Sequence, residues 1–402
     1  MKSTNMSRRK FLQLASLASA GIAVSIAGMP AFAQDATAEV TPTVEPSLPP
    51  APAPGPIDLE AIGGMDKLVE LAKAEGELST IALPDSWANY GQMKKDFFAK
   101  YDFLKYNDLN PDGSSAEEIE AIKANAGNKG PQNPDTIDVG FIWGKTAKDQ
   151  GLLQPYKVAD WATIPDSLKD ADGYWSGNYY GTMVFEVNAD VVKNVPQDWS
   201  DLLKPEYKGQ VSMSGDPVSA NQAIYSVWAA AVANGGSVDD ATPGLEFFKK
   251  LADAGNLIST PFSPASLVKG ETPITFRWDY NSLALRDENK DIANIQVVYP
   301  KSGTIAGVYL HGINAYSPRP YAARLWAEYL YSDAGQLTWL SGYAKPVRFD
   351  DLQKRNVIPA DLLAKLPKSD VPVGVPTVDQ ITLALDAVKK GWPEIVGVKL
   401  SS

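Results

Sequence analysis

Two short segments, Trp87-Ala88-Asn89-Tyr90 and Trp278-Asp279-Tyr280, place indole and phenol rings beside amide and carboxylate groups. Rings of this kind hold a cation for about 0.5–2 kcal/mol per contact, and a charge-assisted hydrogen bond to an Asp adds about 1.5–3 kcal/mol. A few of each reach roughly the −8 kcal/mol of micromolar binding after the loss of ligand freedom. The chemistry they offer is capture. Bond-making chemistry has little to draw on: there is no cysteine, and His311 is the only histidine. Disulfides, thiolate metal sites, a catalytic thiol and a lipid-modified cysteine are excluded, and a His-based triad or multi-His zinc site lacks its residues. Neither a Gly-x-Ser-x-Gly nor a His-Glu-x-x-His signature is present. An exported hydrolase or transferase would have to work with an acid pair such as Asp216 and Asp279, which nothing else in the sequence supports. No cofactor is called for.

These residues need elements to present them. A helix over Met65–Ala74 stops at Gly76, and Leu78–Leu83 is apolar enough for a buried strand. Pro84-Asp85 breaks the strand, and a loop carrying Trp87, Asn89 and Tyr90 leads into an amphipathic helix over Met93–Tyr101. A strand end that delivers polar and aromatic side chains into a loop before a helix is how open α/β sheets form a ligand crevice. Further on, Pro111-Asp112-Gly113 turns into a helix over Ala116–Ala126, with Ser115 as N-cap and Glu118 completing a capping box. Thr136–Ile142 is a strand ending at Trp143. This alternation predicts a parallel sheet with helices on both faces. Gly181–Asn188 leaves that sheet for a second set: a strand over Gly209–Ser214, helices over Ser219–Ala233 and Pro243–Ala254, and a strand over Thr272–Trp278. Strands over Ile295–Tyr299 and Val308–Ala315 lead back, and helices follow to the end.

The totals agree with two lobes. The chain has 402 residues, 44% hydrophobic, with a net charge of −11 and a pI near 4.8, which argues against a nucleic-acid-binding surface. Ser7-Arg8-Arg9-Lys10-Phe11-Leu12 followed by an apolar run to Ala33 predicts an export signal of the twin-arginine type over residues 1–33, cleaved or kept as an anchor. Residues 34–56, rich in Pro, Ala and Thr, predict an extended, solvated spacer.

The order of features resembles the extracytoplasmic solute-binding proteins of ABC importers, in the two-lobed group that includes ferric-iron, polyamine, thiamine and aminophosphonate binders. The resemblance rests on Leu71-Ala72-Lys73-Ala74-Glu75-Gly76, Asp138-Val139-Gly140-Phe141, Asp172-Gly173-Tyr174-Trp175, Trp199 to Gly209, Trp278-Asp279-Tyr280 and Ala322 to Leu330. It implies an α/β fold of two lobes (57–184 with 309–402, and 185–308), each a mixed sheet flanked by helices and joined by two crossing strands. A solute is trapped between them by hinge closure and passed to a membrane permease, with the receptor a monomer. The strand-to-helix loops would then face one cleft. The first lobe would supply Asp85, Trp87, Asn89, Tyr90, Ser114, Ser115 and Trp143, and the second Asp216, Asn221, Trp278, Asp279 and Tyr280. Trp87-x-x-Tyr90, Asp216 and Trp278-Asp279 are similar to the aromatic-acidic box of polyamine binders, so a polyamine or related amine is the implied ligand. The alternatives are an aminophosphonate or other anion held at Ser114 and Ser115, where a helix start is an anion site, and Fe(III) on the Tyr179-Tyr180 pair.

Overall fold

The computed structural model describes residues 48–366 and 375–400; the export signal and most of the spacer lie outside the described residues. Helices α1 (Leu59–Ile62) and α2 (Met65–Glu75) precede β1 (Glu77–Ile81). Then come α3 (Tyr90–Lys100), β2 (Lys105–Leu109), α4 (Ser115–Ala124), β3 (Thr136–Gly140), α5 (Phe141–Asp149), β4 (Leu153–Gln154) and the long β5 (Trp175–Asn188). The middle of the chain forms α6 (Asn221–Ala233), α7 (Thr242–Asp253), α8 (Pro264–Val268), β6 (Ile274–Trp278), α9 (Asp279–Glu288), β7 (Ile295–Val298) and β8 (Ala306–Asn314). The remainder forms α10 (Pro320–Tyr331), α11 (Asp333–Ser341), β9 (Lys345–Pro346), α12 (Phe349–Lys354), α13 (Ala360–Lys365) and α14 (Val378–Gly391).

Strand β5 is the spine. From Trp175 to Thr182 it pairs antiparallel with β8, which also carries β3 and β4. From Met183 onward its partners are β6 and β7. One strand therefore serves a first group of elements with its first half and a second group with its second half, and β8 brings the chain back. The fold is a two-lobed α/β arrangement. A parallel sheet was expected throughout the first part, and only β1 and β2 pair in that way. The reason is that β5 and β8 run in opposite directions through the centre, and every strand that joins them on this sheet does so antiparallel. The expected strand over 209–214 is reduced to isolated bridges at Val211 with Leu257 and Ile274.

Sequence pattern accounts for the layering. Helix α6 is apolar around its whole circumference, and the side chains from Ala223 to Ala231 are buried, as an all-apolar helix must be. Helix α2 is buried along one side at Leu68 and Ala72 and ends at Gly76, whose φ of 71° needs a residue without Cβ. The end of the expected spacer lies against the body. Tyr316 Oη donates to the Pro49 carbonyl at 2.8 Å, and Arg324 Nε to that of Pro56 at 3.1 Å.

Candidate solute-binding cleft

Between the lobes lies a cleft of about 330 Å³. Its first-lobe wall comes from the loops after β1 and β2, the first turns of α4 and α5, and β3, with Trp87, Ser114, Ser115, Glu118, Asp138 and Trp143 lining it. The facing wall is the start of α6, with Ser219, Asn221 and Gln222, and Tyr309 of β8 closes the base. Gly140 is a point of close approach. A Cβ there would stand 2.9 Å from Asn221 Nδ2, so glycine at the end of β3 lets the second lobe come down on the first.

The loop from Ala82 to Asn89 is conformationally costly. Ala82, Ala88 and Asn89 have φ of 56°, 46° and 64°, three of the six non-glycine residues with positive φ among those described. The strain is held by specific bonds. Asn89 Nδ2 donates to the Thr338 carbonyl at 2.8 Å and to Ser341 Oγ at 3.0 Å, and Lys94 closes on Asp85 at 2.6 Å. The result is that Trp87 projects into the cleft. Its Nε1 donates to Tyr179 Oη at 2.8 Å, and its ring meets Tyr280 and Tyr309 edge-on at 5.8 and 5.4 Å.

Behind Trp87 the bonds run inward to a buried acid. Tyr179 Oη donates to Asp138 Oδ2 at 2.9 Å, and Asn178 Nδ2 to Oδ1 at 3.0 Å. Tyr90 Oη lies beside the same carboxylate without a well-formed hydrogen bond. Burial pushes Asp138 up to about 7 against these hydrogen bonds, which favour its charged form. Glu118, next to it, accepts from Asp138 N at 2.9 Å and is raised by burial too. Two carboxyls that readily hold protons thus line one side of the cleft.

The two helix starts in the cleft differ. At α4, Ser114 is the N-cap and Glu117 reaches back to its N–H at 2.7 Å. The expected capping box is therefore present one residue earlier, because turning Glu118 inward with Ile119 and Ile122 leaves Glu117 as the outward acid. Ser115 Oγ accepts from Gly140 N at 3.0 Å and, among the described residues, donates to no acceptor. At α6 the N-cap is Ala220, with no side chain to cap the helix. Among the described residues the first-turn N–H groups of Asn221, Gln222 and Ala223 have no partner, the first satisfied one being that of Ile224.

The structure brings Trp87, Ser114, Ser115, Trp143 and Asn221 together on the cleft and places the other expected residues elsewhere. Asp85 is bound to Lys94 at the rim with an exposed side chain. Asn89 fixes the loop to α11, and Tyr90 is fully buried. Asp216 forms its own turn, accepting from Val218 N at 3.0 Å through its side chain and from Ser219 and Ala220 through its carbonyl. Trp278 has no exposure and lies edge-on to Tyr225 at 5.2 Å, behind Tyr309. Asp279 accepts from Thr182 N at 3.0 Å and Tyr299 Oη at 3.1 Å, and burial pushes it up to about 6. Tyr280 is buried between Trp87 and Tyr179. Of the other tyrosine pair, Tyr179 is committed to Asp138 and Trp87, and Tyr180 faces the opposite side of β5. His311 is buried on β8, where burial pushes it down to about 3.

Glu118, Asp138, Ser219, Gln222 and Tyr309 are cleft residues that sequence reasoning did not single out. Asp138 carried a usable signal, an acid in an apolar strand followed by Gly140. The others stand where only the folded geometry shows them.

The comparisons agree with this architecture. The periplasmic binding protein AfuA from Actinobacillus pleuropneumoniae, solved with exogenous fructose-6-phosphate bound, superposes with a TM-score of 0.62 at 20% identity, covering 81% of this chain and 99% of that one. The apo ferric ion-binding protein A of Pasteurella haemolytica superposes with a TM-score of 0.59 at 20% identity, covering 81% and 100%. An uncharacterized protein of Haemophilus influenzae is 29% identical over 264 residues, 62% of this chain and 71% of that protein. Residues 138–370 match the family model of bacterial extracellular solute-binding proteins, and the chain belongs to that family: it is a non-enzymatic solute receptor of an ABC importer.

Proposed function

We propose that the solute is small and carries an anionic head, a phosphoryl, phosphonate or carboxylate group, which seats on the free N–H groups at the start of α6. The observation that carries this reading is the uncapped helix end at Ala220, facing into the cleft beside Ser219 and Asn221. A helix N-terminus carries roughly half a positive charge and presents its N–H groups to an anion. No Lys or Arg lines the cleft among the described residues, so backbone donors and hydroxyls do this work. The competing start at α4 is already closed by the Ser114–Glu117 capping box. Opposite the anion seat, Asp138 and Glu118 can accept from a hydroxyl or ammonium group, and the rings of Trp87 and Trp143 border the same space. A sugar phosphate or an aminophosphonate has both ends. The fructose-6-phosphate seen in AfuA is of this class.

A polyamine would need the second lobe to supply rings and acids. Trp278 lies behind Tyr309, Asp279 faces another cavity, and Asp216 is committed to its own turn, so the anion is the better fit. The receptor reaches the outside of the cytoplasmic membrane by the twin-arginine route and delivers its solute, as a monomer, to a membrane permease.

A thermal-shift panel tests the ligand class. A compound that binds only the folded chain, at a hundredfold excess over its dissociation constant, adds about 2.7 kcal/mol. Fructose 6-phosphate or 2-aminoethylphosphonate should raise the melting temperature and spermidine should not. Stabilisation by spermidine alone would reverse the assignment.

A further inference from the structure

Across β5 from the cleft lies a second cavity of about 490 Å³. Tyr179 turns towards Trp87, whereas the next side chain, Tyr180, and then Thr182 form the floor of this chamber. Asp279 and Tyr299 stand on one side, and Lys345, Phe349 and Asp350 on the other. Asp279 is already satisfied by Thr182 N, Tyr280 N and Tyr299 Oη.

Lys345 is covered by rings but has no anionic partner in contact among the described residues. Its ammonium lies 5.3 Å from the Tyr180 ring centroid and 4.5 Å from that of Phe349. Among the described residues it makes no ion pair and no hydrogen bond, and its half-burial holds it below the ordinary lysine range, with Asp350 the only charge opposing that. The Tyr180 and Thr182 hydroxyls also lack a partner among the described residues. A half-buried cation with free hydroxyls nearby suits an anionic group. Among the described residues the chamber nevertheless holds two carboxyls, Asp279 and Asp350, against one ammonium, so a simple anion would meet net repulsion. A simple amine would compete with Lys345 for the rings it already covers. A molecule with both charges meets neither objection, and Leu168, Val347 and Phe349 supply an apolar surface for the rest of it.

We propose that this chamber is a second binding site, for a small zwitterion with an apolar body, the chemistry of a free apolar amino acid. Its carboxylate meets Lys345 and Tyr180, its ammonium faces Asp350 and Asp279, and its body rests on Phe349. The site is independent of what the cleft binds.

Calorimetric titration of the full chain with L-phenylalanine, 3-phenylpropionate and 2-phenylethylamine tests this. L-phenylalanine should bind saturably, and each half-analogue should be weaker by about tenfold or more, the worth of one charge-assisted bond. Lys345→Met should weaken L-phenylalanine by a similar factor, Tyr180→Phe severalfold, and Asn221→Ala in the cleft not at all. The Tyr180 variant decides the matter if the Lys345 variant does not fold. Absence of saturable heat at about 1 mM L-phenylalanine would overturn the proposal. So would equal binding of either half-analogue, full affinity in both chamber variants, or loss of binding in the Asn221 variant alone.

Discussion

Tyr280 is one residue through which the second lobe touches the first, and its two components can be separated. The ring meets Trp87 at 5.8 Å and Tyr179 at 5.6 Å, both edge-on. Each such pair contributes about 0.5–1.5 kcal/mol beyond burial, so together they favour the closed arrangement by about 1–3 kcal/mol. The hydroxyl acts the other way, since it is buried without a partner, at a cost of about 1–3 kcal/mol. Tyr280→Leu keeps bulk and removes both components; Tyr280→Phe keeps the ring and removes only the hydroxyl. In ligand-free protein carrying one fluorophore on each lobe, the phenylalanine variant should shift the population towards the closed distance. The leucine variant, compared with the phenylalanine one, should lower the closed-to-open ratio by roughly 5- to 150-fold. If Phe and Leu variants give the same distribution, the rings do not hold the lobes together. If the Phe variant opens the protein, the hydroxyl has a partner and the account of this contact is wrong.

Three further outcomes follow from the geometry. Asp138 stands at about 7 when folded against 3.8 ordinarily. A carboxyl raised in this way contributes stability that is complete below about pH 4 and is lost as the pH rises through about 7, on the order of a few kcal/mol. Chemical denaturation across that window should show the fall in the native chain and a flatter profile in Asp138→Asn. Gly140→Ala puts a methyl 2.9 Å from Asn221 Nδ2; solute affinity should drop while the open form, seen by small-angle scattering, becomes more populated. Ser114→Ala removes the α4 cap and should cost about 1 kcal/mol of stability, with solute affinity unchanged because α4 is not the anion seat.

Much of this arrangement could be read from residue order, and the failures have physical causes. The loop after the first strand was legible because Pro84 ends an apolar run and Trp87 is too large to hide in a turn. Its neighbours were not separable: Asn89 and Tyr90 sit beside Trp87 in sequence, yet the left-handed turn at Ala88 and Asn89 sends the three side chains to cleft-facing, bridging and buried positions. The Ser114-Ser115 start was found one residue out of register, since Ser-x-x-Glu fits at both offsets and only the packing of Ile119 and Ile122 decides. Trp278 and Asp279 have the composition of a binding motif. In three dimensions the indole fills the space beneath Gly307, where a Cβ would stand 2.1 Å from the ring, and that contact belongs to a strand some thirty residues away. The uncapped start of α6 is visible in sequence as Ala220 where a Ser or Asp would serve, but an absent cap signals a site only once the cleft is seen in front of it.

The anion seat itself can be tested one hydrogen bond at a time. Asn221 is the first residue of α6 and follows Ala220 at ψ 119°, a setting that accepts proline, which removes the N–H while keeping the helix. Titrating whichever of fructose 6-phosphate or 2-aminoethylphosphonate binds into Asn221→Ala and Asn221→Pro isolates that backbone donor from the side chain. The proline variant should bind about tenfold or more weaker than the alanine variant at equal melting temperature. Equal affinity in the two would mean that the anion does not rest on the start of α6.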